Sequence, residues 1–324
     1  MCVTPSEKRP EMSYAKVLCA ALVGVGADLV EVEAYLAPGL PGLHMTGLPD
    51  SALNEARDRV RAAIVNSGET WPSQRITVNL LPAYLRKHGS AFDMAIALAV
   101  LGGTGELPLA ALSQVLVLGE LGLDGSVRPI RGTLPMIATA AGMGIRRVIA
   151  PLANAAEAAL VPGMKVLAAE RLAEVIGFVR GQSTLQDPPA LADAPATAAP
   201  LDMADVAGQL LGRLAVEVAA AGGHHLAFFG APGGGKTMLA KRLPSLLPML
   251  DDEAALEVTS LHSVAGLLPV GGALIRQPPL QAPHHTASVA ALVGGGSGLA
   301  RPGALSLAHR GVLLLDESRR TFSH

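Results

Sequence analysis

Residues 226–239 read "LAFFGAPGGGKTML", and this stretch decides the fold class. Four apolar residues, Leu226 to Phe229, predict a buried strand. Gly230, Gly235, Lys236 and Thr237 then match the spacing G-x-x-x-x-G-K-[ST], with a helix expected from Thr237 onward. Strand, glycine-rich loop and helix in this order are how an α/β sheet offers backbone N–H groups to phosphate oxygens. Gly230, Pro232, Gly233, Gly234 and Gly235 shape a loop in which no Cβ obstructs the converging amides, and the helix start adds partial positive charge. Lys236 is expected to reach the β and γ phosphates of ATP, and Thr237 to ligate Mg²⁺. A plain glycine-rich turn is the alternative, but it gives no reason for Lys-Thr at the helix start.

Further along, "GVLLLDE" at 311–317 predicts a buried parallel strand that ends on two carboxylates. Alone, an apolar run with a polar end is uninformative. Downstream of a phosphate loop it gains roles: Asp316 is expected to hold Mg²⁺ through water, and Glu317 to orient or activate the attacking water.

The remaining composition narrows the class. The chain has 324 residues, 50% hydrophobic and 16% charged, enough for about two globular domains. Aromatics make up 3%, so Ala, Val and Leu must build the core. A net charge of −2 excludes a global basic footprint, so nucleic-acid binding would need a local patch. Cys2 and Cys19 have no metal-ligand spacing and make no disulfide framework, and a reducing cytoplasm is the default. "VLCAALVGVGA" after Lys8-Arg9 has the look of a signal peptide. A buried strand leading into the alternating "VEVEAYL" accounts for it better, and no apolar run is long enough to span a membrane.

Composition breaks at 181–200, "GQSTLQDPPALADAPATAAP", which reads as a linker between a domain at 12–180 and another at 201–324. In the first, "VEVEAYL" and "RITVNL" alternate with period two. Between them "PDSALNEARDRVRAAIVNSG" is an amphipathic helix: Asp50 is its candidate N-cap, Leu53, Ala56, Val60 and Ile64 share a face, and Gly68 stops it. "FDMAIALAVLGG" is apolar all round and hence a buried helix. "VLVLGEL", "SVRPI" and "RRVIAP" supply further strands.

Over nearly its whole length the chain resembles the Mg-chelatase-like AAA+ ATPases of bacteria, the YifB/ComM group. The resemblance runs through "AKVLCAALVGVGADLVEVEAYLAPGLPGLHMTGLPDSALNEARDRVRAAIVNSG", "DMADVAGQ", the phosphate loop and "QAPHHTASVAALVGGGSGLARPGALSLAHRGVLLLDE". It begins at Met12, so residues 1–11 read as an upstream extension or a misplaced start. It implies a Lon-protease-like (S5-like) α+β domain followed by an incomplete P-loop NTPase domain of the AAA+ type. It further implies ATP and Mg²⁺ as cofactors, a segment around Val206 passing over the adenine, a hexameric ring of copies, DNA as a partner and no membrane. The load stays open: a branch-migration helicase on DNA, a chelatase-type motor that inserts metal into a porphyrin, or a non-enzymatic assembly module.

Two tempting sites carry less. "KHGSAFD" at 87–93 resembles the Lon nucleophile segment, but the nucleophile position falls on Ala91, with Ser90 one place before it. The position of the catalytic Lys is Leu134, so acyl transfer has no base and the domain is expected to be non-proteolytic. His284-His285 suggests a metal, yet neighbours on an extended strand point apart, and a structural or ring-contact role is expected. "GGGSG" at 294–298 is expected as a flexible loop. After Glu317 the sequence leaves the family pattern. The chain is therefore expected to be a truncated copy, lacking an arginine finger, a lid and the strand that the AAA+ order 5-1-4-3-2 puts between 226–230 and 312–315. Little ATPase activity is expected of it.

Overall fold

The computed structural model describes residues 13–47, 51–85, 87, 89–190, 201–268, 273–295 and 301–316. The chain divides into two compact units, 1–189 and 190–324.

The first unit is built on a seven-stranded mixed sheet. Its strands are β1 (Ser13–Val23), β2 (Gly26–Ala37), β3 (Gly42–Thr46), β4 (Arg75–Leu81), β5 (Val115–Val117), β8 (Arg147–Pro151) and β9 (Lys165–Ala169), in the order β3-β4-β2-β1-β5-β8-β9. β1, β2 and β4 pair antiparallel, while β1, β5, β8 and β9 run parallel and β3 joins β4 parallel. The short ribbon of β6 (Glu120–Leu121) and β7 (Val127–Arg128) stands beside it. The apolar run at residues 17–27 is thus the end of strand β1, its turn and the start of β2, and it buries Val17, Cys19, Ala20 and Ala21.

Helices α1 (Ser51–Asn66), α2 (Asp93–Gly103), α3 (Thr133–Gly142), α4 (Leu152–Ala158) and α5 (Leu172–Val179) complete the unit. Ala56, Val60 and Ile64 are buried, as the 3–4 spacing requires, and α1 ends before Gly68 at φ +85°. Asp50 lies outside the described residues, and so does the side chain of Leu53. α2 is buried all round because it packs across β1 and β2. Its last glycines permit that approach: a Cβ on Gly103 would stand 2.5 Å from Leu36 Cδ1.

The stretch expected as a linker starts later in the structure. Gln186 accepts a 2.8 Å hydrogen bond from the Ala168 amide, and Leu185 is buried. Residues 182–186 thus lie along the outer edge of β9, because an apolar residue and an unpaired strand edge both gain by that contact. Residues 191–200 lie outside the described set.

The second unit contains α6 (Leu210–Gly222), α7 (Lys236–Ala240), α8 (Leu243–Leu246), α9 (Asp252–Ala265), α10 (Val289–Val293) and α11 (Ala304–Leu307). Its ladders are short: β10 (Leu280–Gln281) with β13 (Val312–Leu313), parallel, and β11 (Gly294–Gly295) with β12 (Arg301–Pro302), antiparallel. Three expectations need correction here. Leu226–Phe229 enters no β-ladder among the described residues, and Phe229 is 82% exposed. The strand at 312–315 is half-buried rather than buried, with only Val312 and Leu313 in register with a neighbour. An apolar run becomes a strand only where a second edge supplies hydrogen bonds, and Leu226–Phe229 finds none there. The expected "GGGSG" loop begins as a strand instead, since Gly294 and Gly295 pair with Pro302 and Arg301.

Candidate nucleotide site

Glycine supplies the loop's shape. Gly230, Gly233 and Gly235 have φ of +155°, +79° and +75°, values that L side chains adopt only with strain. Gly235 leads directly into α7. Pro232 and Gly234 complete the turn, and the Gly234 amide donates to the Ala231 carbonyl at 3.4 Å. The loop is anchored from below: Leu239 of α7 packs with Met203, Val206 and Val216, flanked by Phe228, Leu243 and Leu246.

That cluster also fixes the segment expected beside the adenine. The Val206 side chain is buried and so offers no free face to a base, while its carbonyl accepts from Arg213 Nη1 at 3.3 Å. Asp202 caps the short 3-10 turn that follows it, and Arg242 Nε donates to the Asp202 carbonyl at 2.7 Å. Gln209 Nε2 reaches the Gly234 carbonyl at 3.4 Å. Residues 202–209 are thereby tied to the loop and its helix.

The polar groups converge. Lys236 Nζ donates to the carbonyls of Gly230 at 3.0 Å and Ala231 at 2.7 Å, so it folds back over its own loop. Thr237 Oγ1 donates to Asp316 Oδ2 at 2.9 Å. Two hard oxygen ligands side by side suit Mg²⁺, which takes one or two protein oxygens and completes its shell with water and phosphate. The residues present thus fit a magnesium–nucleotide complex. Glu317 lies outside the described residues. An apolar cleft of about 390 Å³ lined by Leu211, Leu214, Val218, His224, His225 and Leu226 is nearby in sequence but includes no loop residue.

The histidine pair behaves differently from expectation. His284 and His285 do not point apart: their rings lie 4.1 Å centroid to centroid. The segment is a turn, closed by the Ala287 amide on the His284 carbonyl at 2.8 Å, so the alternation of a strand does not apply. His284 Nδ1 engages Thr286 Oγ1 at 2.8 Å. No cluster of three or more metal-ligating side chains occurs among the described residues.

In the first unit, Leu134 is fully buried and its amide donates to Glu157 Oε1 at 3.0 Å. Ser90 Oγ donates to Glu120 Oε2. Sequence reasoning missed what lies beneath. Asp93 is fully buried and forked by Arg59, with Nε to Oδ2 at 2.9 Å and Nη2 to Oδ1 at 3.2 Å, and it accepts the Leu121 amide at 3.3 Å. Burial pushes its carboxyl up to about 6, against the pull of Arg59. Lys87 is also buried, its ammonium held by the carbonyls of Gly47 and Pro82, and desolvation lowers its affinity for the proton. The one available signal was an Asp at the start of an otherwise apolar helix.

A mixed α+β unit followed by a phosphate loop whose Thr meets an Asp just beyond a short strand defines the class: a Lon-like domain joined to a P-loop unit of the AAA+ type. The family model for magnesium chelatase, subunit ChlI, matches residues 202–323, and that for subunit ChlI of Mg-chelatase matches residues 32–154. An uncharacterized protein of Mycobacterium tuberculosis H37Rv is 52% identical over 307 residues, covering 94% of this chain and 61% of that one. YifB of Escherichia coli K12 is 43% identical over 306 residues and competence protein ComM of Haemophilus influenzae 42% over 314, each covering 94% of this chain and 60% of theirs. About half of the chain is similar as well to Lon protease 3 of Sorangium cellulosum, 31% identical over 172 residues, 51% of this chain and 20% of that protein. The chain belongs to the magnesium-chelatase-like YifB/ComM family. It spans about 60% of the length of these YifB and ComM relatives.

Proposed function

We propose that the second unit binds ATP with Mg²⁺ and belongs to a ring-forming motor that acts on DNA. The observation that carries the reading is the meeting of Thr237 Oγ1 and Asp316 Oδ2 at 2.9 Å beside a glycine loop. The amides of 230–236 would hold phosphate oxygens, and Lys236 would exchange its two carbonyl partners for the β and γ phosphates. Thr237 and Asp316 would hold the magnesium ion, which when bound offsets the phosphate charge. Glu317 would take a proton from the attacking water on its carboxylate. Residues 205–209 would border the base through backbone rather than through the buried Val206 side chain. DNA as the load, and self-assembly into a hexamer, come from the family resemblance; the competence relative favours them.

Both matching family models carry the name of a chelatase subunit, which keeps metal insertion into a porphyrin as a second reading. Among the described residues no helix is long and apolar enough to cross a membrane. We place the protein in the cytoplasm on its cysteine usage instead, two in 324 residues, which makes no disulfide framework. The test is titration of a fluorescent ATP analogue into the purified chain with and without Mg²⁺. Tight binding that needs Mg²⁺ and falls in Lys236→Ala supports the nucleotide reading, and equal binding by the variant rules it out. DNA-stimulated against porphyrin-stimulated turnover of a full-length relative separates the two loads.

A further inference from the structure

The parallel half of the first unit's sheet has a charged end. Val115, Arg147 and Lys165 are the first residues of β5, β8 and β9, and the register sets them in one row: Val115 opposite Arg147, Arg147 opposite Lys165. Arg146 precedes Arg147, and its carbonyl accepts the Lys165 amide at 2.8 Å. All three cations are exposed. Arg147 and Lys165 carry like charges at registered positions of neighbouring parallel strands, a Coulombic repulsion that a bound anion would offset.

The two guanidinium groups are fixed in place, and not by acids. Arg147 Nη2 donates to the Ser113 carbonyl at 3.1 Å. Arg146 Nη1 donates to the carbonyls of Ala141, in the last turn of α3, and of Ile145, just before Arg146 itself. Each keeps further N–H groups that these bonds do not use, since a guanidinium has five. Among the described residues no carboxylate forms an ion pair with Arg146, Arg147 or Lys165. The segments that surround them, "LPLAALSQ" at 107–114, "AGMGI" at 141–145 and "ALVPGM" at 159–164, contain no acid at all. Elsewhere in the same unit exposed cations do find acids, as in Lys16–Glu31 at 2.9 Å. Oriented guanidinium groups in an acid-free setting fit a ligand that brings several phosphates and no need for base readout.

We infer that Arg146, Arg147 and Lys165 form a contact surface for the phosphate backbone of nucleic acid, on the first unit and apart from the phosphate loop. The inference rests on the DNA reading above for its choice of polyanion. Removing one cation that neutralises a phosphate makes the salt slope of duplex binding shallower by about 0.9. The experiment measures binding of a short random-sequence duplex by the purified chain across a salt series. It compares wild type, the triple variant Arg146→Gln/Arg147→Gln/Lys165→Gln, and Lys165→Glu alone. Lys165→Glu leaves both carbonyl-bound arginines in place and guards against misfolding. Arg57→Gln/Arg61→Gln, on the exposed side of α1, is the control for net charge.

The expected result is a salt slope shallower by about 2–3 in the triple variant and a loss of affinity of about tenfold or more at low salt. Lys165→Glu should lose affinity as well, and the α1 control should lose clearly less. Wild-type binding with an unchanged slope in the triple variant and in Lys165→Glu overturns this surface while the DNA reading stands. No binding by wild type overturns both. Equal dependence on these residues for polyglutamate or for phosphatidylserine vesicles, with none for DNA, also overturns the assignment to nucleic acid.

Discussion

Thr237 Oγ1 and Asp316 Oδ2 meet at 2.9 Å although 79 residues separate them. Thr237 is placed by Gly235 and α7, and Asp316 by the short parallel pairing of Leu280–Gln281 with Val312–Leu313. The pair is thus as sound as a two-residue ladder, and that weakness is testable.

Gly311 controls the ladder. A Cβ there would lie 2.1 Å from the Pro279 carbonyl oxygen, against backbone that cannot yield cheaply. Gly311→Ala should displace β13 and with it Asp316. We expect Mg²⁺-dependent affinity for ATP to fall by about 10–100-fold, the worth of one hydrogen bond to a charged group, while binding without Mg²⁺ changes little. Titration with and without Mg²⁺ reads both, and an unchanged Mg²⁺ dependence would show that Asp316 is not a ligand.

Lys236→Ala should weaken nucleotide binding by a similar factor in the presence of Mg²⁺, because the phosphates lose their one loop cation. Thermal unfolding without nucleotide should move little, since the two carbonyls that Lys236 now contacts are on an exposed loop. A large loss of stability would mean that Lys236 acts as a structural clamp.

Asp93 makes the first unit's stability depend on pH. Its folded value of about 6 lies above its ordinary 3.8. The folded state therefore holds the proton more tightly than the unfolded state. The stability this contributes is fully present below about pH 4 and is lost as pH rises through about 6. Asp93→Asn should flatten the profile over that window, read as the difference between the two proteins' denaturation midpoints. Arg59→Met should cost about 3–5 kcal/mol at neutral pH, because it leaves a buried carboxylate without its cation, and less at pH 4.

Residues 182–186 belong energetically to the first unit. A fragment ending at 180 loses the burial of Leu185, worth about 1.5–3 kcal/mol, and the pairing of Gln186 with Ala168. Residues 13–189 should therefore unfold at higher temperature than residues 13–180. Equal melting temperatures would show that the edge contact contributes nothing.

Peptide hydrolysis should be absent. The resemblance to the Lon segment puts Leu134 where the dyad would need a lysine, and Leu134 is buried. Ser90 donates to Glu120, which is an ordinary acceptor for a half-buried serine. Casein turnover that vanishes in Ser90→Ala would contradict this.

The sequence by itself determined the class and the order of parts. Period-two runs, an apolar helix and G-x-x-x-x-G-K-T are local patterns, and local sterics and solvation set them wherever they stand in a chain. Hence β1, β2, β4, α1 and α2 fall where periodicity puts them. Only tertiary structure decided the rest. Leu226–Phe229 has the composition of a strand, but a strand exists through a neighbour's hydrogen bonds, and that neighbour is not a property of the segment. His284 and His285 stack because a turn holds them, not because of their spacing. Asp93 looks like a polar helix start until Arg59, from a different helix, closes over it. Arg147 and Lys165 are unremarkable charges in the sequence, and only the register of β8 against β9 makes them neighbours. In each case the deciding energy comes from a contact between residues far apart in the chain, which no window along the sequence contains.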